Sequence, residues 1–267
     1  MNAPDDGSAM EAEFDTVAGW TEEAVRELGT DHAIPAACRG SGSPADLQWL
    51  ADGLGLRGDD RFLDAGAGLG GPAAWLREHH RGEETDPDHW QGTPVLVDPM
   101  THAAASSRRL FGFPAVAAWS QQLPVRTAAV DAAWALGVLC TTSERADLLA
   151  ELRRVLKPGG RLALLVLVAA VDPLPADRPD GNDFPTADEL RAQVRDAGFR
   201  ISDEIDASTL PDAPADWTAR ADRVDEIVER DHGDDPAFRT AQQQSQAMGR
   251  LLGERQVVTT LLQATAV

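Results

Sequence analysis

The sequence predicts an α/β fold built on a mostly parallel sheet, and two observations lead there. From Arg61 onward, short apolar runs bounded by Gly or Pro alternate with stretches of helical spacing. They read RFLDAG then GGPAAWLREHH, TPVLVDP then THAAASSRRLF, PAVAAWS, VDAAWALGVL then SERADLLAELRRVL, and RLALLVLVAAV. Strands covered on both faces lose the polar alternation of a half-exposed sheet, so this rhythm marks βαβ units. The second observation is the turn DAGAGLGG, which ends the first strand and opens a helix. A tight glycine turn at that point is the entry to a ligand site in open α/β sheets.

Taken in order, residues 1–10 are acidic and polar and read as a disordered tail. Residues 11–58 read as a helical cap or lid. Its helices are joined by the Gly-, Ser- and Pro-rich loop DHAIPAACRGSGSPADL, in which Ser43-Pro44 marks a helix start. Residues 59–267 then form the sheet domain. Within it, TADELRAQVRDAG is a helix closed by Gly198, FRISDEID a strand, and ERQVVTTLLQATAV the closing strand. Between those strands, residues 215–252 carry helical spacing and much charge and read as a helical insertion. Both helical additions are expected over the carboxyl ends of the strands, where ligands bind in such sheets.

Composition narrows the partners. With 267 residues the chain can bury a large core. Its 24 Lys+Arg against 44 Asp+Glu give a net charge of -20, and Lys157 is the sole lysine. Such a field repels phosphate backbones and anionic lipid, so nucleic acid and membrane surfaces are not expected partners. Two cysteines, Cys38 and Cys140, make neither a disulfide framework nor a zinc site, and no metal constellation is present. The acidic N-terminus lacks signal-peptide character, and the longest apolar run, Leu162 to Val171, is about half of a membrane span. A cytoplasmic location is expected.

The string Gly66-Ala67-Gly68-Leu69-Gly70-Gly71 also satisfies the dinucleotide pattern GxGxxG. Asp64, two residues before the first glycine, separates the readings. A carboxylate there opposes a pyrophosphate and suits a ligand carrying an ammonium and a sulfonium. Asp98 ends the next strand, where a carboxylate can accept from both ribose hydroxyls; its bland alternative is to cap the helix starting near Thr101.

Asp64-x-Gly66-x-Gly68-x-Gly70 resembles the first motif of the class I S-adenosylmethionine-dependent methyltransferases. AVAAWSQQLPV, VDAAWALGVLCTT and LRRVLKPGGRLAL follow in the family's order, so the likeness spans residues 61–166. It implies a Rossmann-like, seven-stranded sheet with an antiparallel last strand. It also implies S-adenosyl-L-methionine as cofactor and S-adenosyl-L-homocysteine as product. Gly66, Ala67 and Gly68 would wrap the methionine end, Pro99 and Met100 flank the adenine, and Gly137 at the end of the fourth strand face the methyl group. The motif is most similar to members acting on small molecules in secondary metabolism, and such an acceptor is expected, methylated on O, N or C. Two departures stand out. Trp119 occupies the place of an acidic residue that holds the adenine amino group, which leaves Ser120 and Gln121 to hydrogen-bond it. Cys140 stands where His or an aromatic is frequent. A protein of this fold that binds the cofactor without methylating is the first alternative, and a nicotinamide-dependent oxidoreductase the second.

Methyl transfer from a sulfonium needs proximity and orientation, and a hydroxyl or ammonium acceptor must also lose a proton. His32 in the cap loop and His232 in the helical insertion are the candidate bases, each weighed against a bland surface or cap role. Arg39, in RGSGS, is a candidate ligand for the cofactor's carboxylate, with the flanking glycines as lid hinges.

Overall fold

The computed structural model describes residues 6–79, 89–175 and 178–267. The first five residues of the expected tail, and His80, lie outside these. Helix α1 runs Asp6–Leu28, so helix reaches into the segment read as disordered. Ala9-Met10-Glu11-Ala12 are good helix formers, and extending an existing helix costs little. A 3-10 turn, Thr30–His32, leads into the short α2, Ala33–Ala37. Helix α3, Pro44–Leu54, begins as the sequence indicates: Ser43 and Asp46 cap each other reciprocally, with Pro44 at the first helical position.

The sheet domain follows as β1 (Phe62–Ala65), α4 (Gly71–His79), β2 (Val95–Asp98), α5 (Thr101–Phe111), β3 (Ala115–Ala117), β4 (Val130–Leu136), α6 (Arg145–Val155) and β5 (Leu156–Ala169). Then come α7 (Ala187–Asp196), β6 (Phe199–Asp206), the helical pair α8 (Ala215–His232) and α9 (Pro236–Gly253), and β7 (Val257–Ala266). The strands form one seven-stranded sheet in the order β3-β2-β1-β4-β5-β7-β6. β1 to β5 are parallel, and β7 enters antiparallel between β5 and β6.

The central strands are buried on both faces, as their unbroken apolar runs require. Ala133 and Ala135 of β4 face a core closed by Leu148, Leu152 and Val155 of α6 and Leu190 and Val194 of α7. Ala132, Trp134 and Leu136 face the opposite core, closed by Leu47, Leu50 and Leu54 of α3 and Trp75 of α4. Helix α3, read as part of the cap, therefore packs on the sheet. The cap proper is α1 and α2, whose apolar side meets α8 through Ala24, Val25, Ala36, Val224 and Ile227.

Lys157-Pro158-Gly159-Gly160 is built into β5 as a bulge against β4, between the pairs Val130↔Leu156 and Ala132↔Arg161. Gly159 takes φ 75° there.

Candidate functional site

The carboxyl ends of β1 to β4 open into a groove of about 1420 Å³. Its floor is Gly66, Ala67, Gly68, Asp98, Pro99 and Met100, and its far wall Trp119, Ser120, Gln121 and Gly137. Phe14, Val17, Ala18 and Thr21 of α1 and Ala36, Ala37 and Arg39 roof it. Thus of the eleven residues read as cofactor-binding, ten line one groove, and Asp64 lies buried behind it. α8 does not line it; it backs the cap instead, so only one of the two helical additions covers the strand ends directly.

Asp64 is the penultimate residue of β1 and is 2% exposed. Its Oδ2 has no hydrogen-bond partner. Burial raises its pKa to about 7, and the Asp98 carboxylate adds to the rise. Trp134 is its register partner on β4. Gly66, at φ 80°, lets the chain turn away from β1, and a side chain there would strike Val138.

Asp98 braces the loops around it. Its Oδ2 accepts from Gly68 N at 2.7 Å and its Oδ1 from Met100 N at 2.9 Å. Each carboxylate oxygen thus accepts a backbone N–H from one of the two loops that flank it. It is not the cap of α5. That cap comes from Asp15 of α1, whose Oδ1 accepts from His102 N at 2.7 Å and Ala103 N at 3.1 Å. Asp15 also meets His102 Nδ1 at 2.8 Å. Deeper along α1, Glu22 is held by Ser106, Arg26 and Arg109, with Arg109 Nε donating at 2.6 Å. The Arg109 guanidinium holds the Glu22 carboxyl below its ordinary range.

Arg39 lines the groove rim, yet its guanidinium is taken up by α8. It pairs with Asp225 and donates to the Ala221 carbonyl at 3.3 Å. Behind it, Gly137 takes φ 75° and leaves room for the Gly40 carbonyl, 2.7 Å from where a Cβ would stand. A glycine at the end of β4 is what lets the cap loop close.

The geometry does not bring the candidate bases to this groove. His32 lies in the 3-10 turn packed against α1 and α8, its Nδ1 buried without a partner. His232 ends α8 and stacks on Trp20 of α1, ring centroids 4.3 Å apart and planes 11° from parallel. Among the described residues no histidine lines the groove. Cys140 is buried, its thiol donating to the Gly137 carbonyl at 3.3 Å, and Cys38 is buried beneath the cap. No group of side chains among the described residues could hold a metal ion.

Sequence reading missed two contributors. The first is the groove-facing side of α1: the segment was read as cap, but Phe14, Val17, Ala18 and Thr21 were not singled out, although with Val25 and Leu28 they carry the spacing of an apolar helix face. The second is the loop after β5. Its Arg178, Asn182 and Asp183 line the outer groove with Thr141, Thr142 and Glu144. Arg145 anchors it, donating to the carbonyls of Thr142 and Asp183 at 3.1 and 2.9 Å. No local signal in the sequence announces that meeting.

A methyltransferase-domain profile matches residues 63–164, the stretch from β1 into β5. The 27-O-demethylrifamycin SV methyltransferase of Amycolatopsis mediterranei is 31% identical over 193 residues, covering 68% of this chain and 68% of that one. Two solved structures share the fold. The [4+2]-cyclase SpnF superposes with TM-score 0.63 at 24% identity over 85% of this chain and 83% of its own. Geranyl diphosphate C-methyltransferase from Streptomyces coelicolor gives 0.60 at 18% identity over 84% and 79%. The chain belongs to the class I S-adenosylmethionine-dependent methyltransferases.

The residues present fit that cofactor. A buried, unpartnered carboxylate oxygen beside the glycine loop suits an ammonium or sulfonium and not a pyrophosphate. At the end of β2, the Asp98 carboxylate is of the type that would accept from a vicinal diol. When bound, S-adenosylmethionine supplies an activated methyl group. The residues lining the groove would hold and orient it, and the roof of α1 and α2 would shield it from water.

Proposed function

We propose that this enzyme methylates a bulky small molecule of secondary metabolism, at a hydroxyl in the first instance, in the cytoplasm. The observation that carries this is the size and continuity of the groove. At about 1420 Å³ it exceeds the ~300–1,000 Å³ of a site for one drug-sized ligand, and it runs from the glycine loop out past Thr141, Thr142 and Arg178. Cofactor and acceptor can therefore share it. The choice of a hydroxyl leans on the relative from Amycolatopsis, whose name specifies an O-demethylated substrate. Among the described residues no membrane-spanning helix occurs, which fits a free enzyme meeting a diffusible acceptor.

In this reading Asp64, Gly66, Ala67 and Gly68 bind the amino-acid end of the cofactor, and Asp98 takes the ribose. Pro99, Met100, Ser120 and Gln121 surround the base, and Gly137 leaves space at the methyl group. Proximity supplies most of the acceleration. The acceptor proton leaves to a carboxylate of the outer groove, Glu144 or Asp183, or to water, rather than to a histidine. Replacing His32 or His232 by Ala is then expected to keep kcat within about threefold, since proton transfer by a positioned base contributes ~10²–10⁴. A fall of a hundredfold or more in either variant, with folding intact, would restore histidine catalysis. The function itself is tested by S-adenosylhomocysteine release over a panel of hydroxylated, aminated and carbon-acid acceptors of polyketide size. Turnover of a hydroxylated member is expected, and turnover confined to the other two classes contradicts the hydroxyl assignment.

A further inference from the structure

We infer that Trp119 is the platform on which the adenine ring of the cofactor lies, so that this protein reads the base by its face and not by its edge. The inference rests on the cofactor reading of the groove. Asp98 ends β2, and β3 is its outer neighbour: Asp98 is in register with Ala117, and Ala118 N donates to the Asp98 carbonyl at 3.1 Å. With the ribose at Asp98 and the sulfonium arm toward the Gly66–Gly68 loop on β1, the base projects to the other side, over the end of β3.

Trp119 stands there with 51% of its surface exposed. The other six tryptophans are buried or half-buried. An indole left open in the wall of a ligand groove offers apolar area that only an occupant covers. Phe14, 49% exposed, lines the same groove from α1, and its neighbour Asp15 fixes α1 onto the first turn of α5, next to Met100. Two open aromatic side chains thus serve the base-binding end of the groove.

The edge groups available at the end of β3 are neutral. Ser120 lines the groove from a buried position, and Gln121 directs its amide nitrogen to Thr142 Oγ1 at 3.4 Å and to the Glu144 carboxylate of the next turn at 3.5 Å. A hydroxyl and a carboxamide can each donate or accept, whereas a carboxylate accepts only and so demands the amino group of adenine. Stacking is indifferent to that substituent because every base has a π-face.

The test is calorimetric binding of S-adenosylhomocysteine and of its deaminated counterpart, S-inosylhomocysteine, to the full chain and to Trp119→Phe and Trp119→Ala. The wild type is expected to bind the two within about threefold of each other, with both weakened roughly 10- to 100-fold in Trp119→Ala and much less in Trp119→Phe. Rejection of the inosine ligand by the wild type by a hundredfold, or an unchanged Kd in Trp119→Ala, overturns the inference while leaving the cofactor site standing. Failure of S-adenosylhomocysteine itself to bind overturns the cofactor reading and this inference together. The wild-type comparison of the two ligands decides even if a variant folds poorly.

Discussion

Asp64 is the residue on which electrostatics and function meet. Its pKa is about 7 in the folded chain against 3.8 for the ordinary group, so between those values the native state holds a proton that the unfolded chain lacks. Stability therefore falls as pH rises from about 4 to about 7 and is level above, as far as this group is concerned. Asp64→Asn is expected to flatten that slope in thermal melts and to melt above the wild type at pH 8. The same variant is expected to bind S-adenosylmethionine ~10- to 100-fold more weakly, because a hydrogen bond to a charged partner is lost. A variant that keeps the slope would show that the proton resides elsewhere. Arg39 was legible as a groove residue, but its partner was not, since Asp225 lies far along the chain. As a tether of the cap loop, Arg39→Ala and Asp225→Ala should weaken cofactor binding alike, and the exchange Arg39→Asp with Asp225→Arg should restore it. Binding that depends on Arg39 alone, with Asp225→Ala silent, would return Arg39 to the role of a direct carboxylate ligand.

Among the elements, α1 connects stability to the site. It lends α5 the N-terminal cap that Met100 does not supply, and it buries Glu22 against Ser106 and Arg109. Because the Glu22 pKa is held below its ordinary value, this contribution is present above the unfolded pKa and is lost as pH falls through the folded one. Glu22→Ala takes the carboxylate partner from the buried Ser106 hydroxyl and from two half-exposed guanidinium groups, at a cost of about 1–3 kcal/mol, most of it at Ser106. Thermal melts should show a drop of several degrees at neutral pH, and cofactor affinity should fall with it because the groove loses its roof. Loss of stability with affinity untouched would reduce α1 to a packing element. The strands and α4 to α7 were readable because apolar runs, glycine ends and caps such as Thr186 with Glu189 act within a few residues. The Pro-Gly-Gly bulge, the sheet-side role of α3 and the cap that Asp15 lends α5 were not, because each is decided by a partner distant in sequence.

For the molecule as a whole, the parallel sheet and the groove at the carboxyl ends of its strands followed from the alternation of elements; the strand order did not, and it puts the groove where that order reverses, between β1 and β4. The acceptor end did not follow. It is assembled from α1, the β4–α6 turn and the loop after β5, three segments with no common pattern. The charge of -20 belongs to this scale too: it disfavours polyanionic acceptors and leaves small molecules in reach. The groove as a cofactor site is tested most directly by calorimetric titration of S-adenosylmethionine, S-adenosylhomocysteine and NAD into the wild type and Asp98→Ala, after any ligand carried through purification has been removed. Micromolar binding of both adenosyl ligands, no binding of NAD, and loss of at least tenfold in the variant are expected. Absence of adenosyl binding, or binding indifferent to Asp98, would contradict the assignment of this groove.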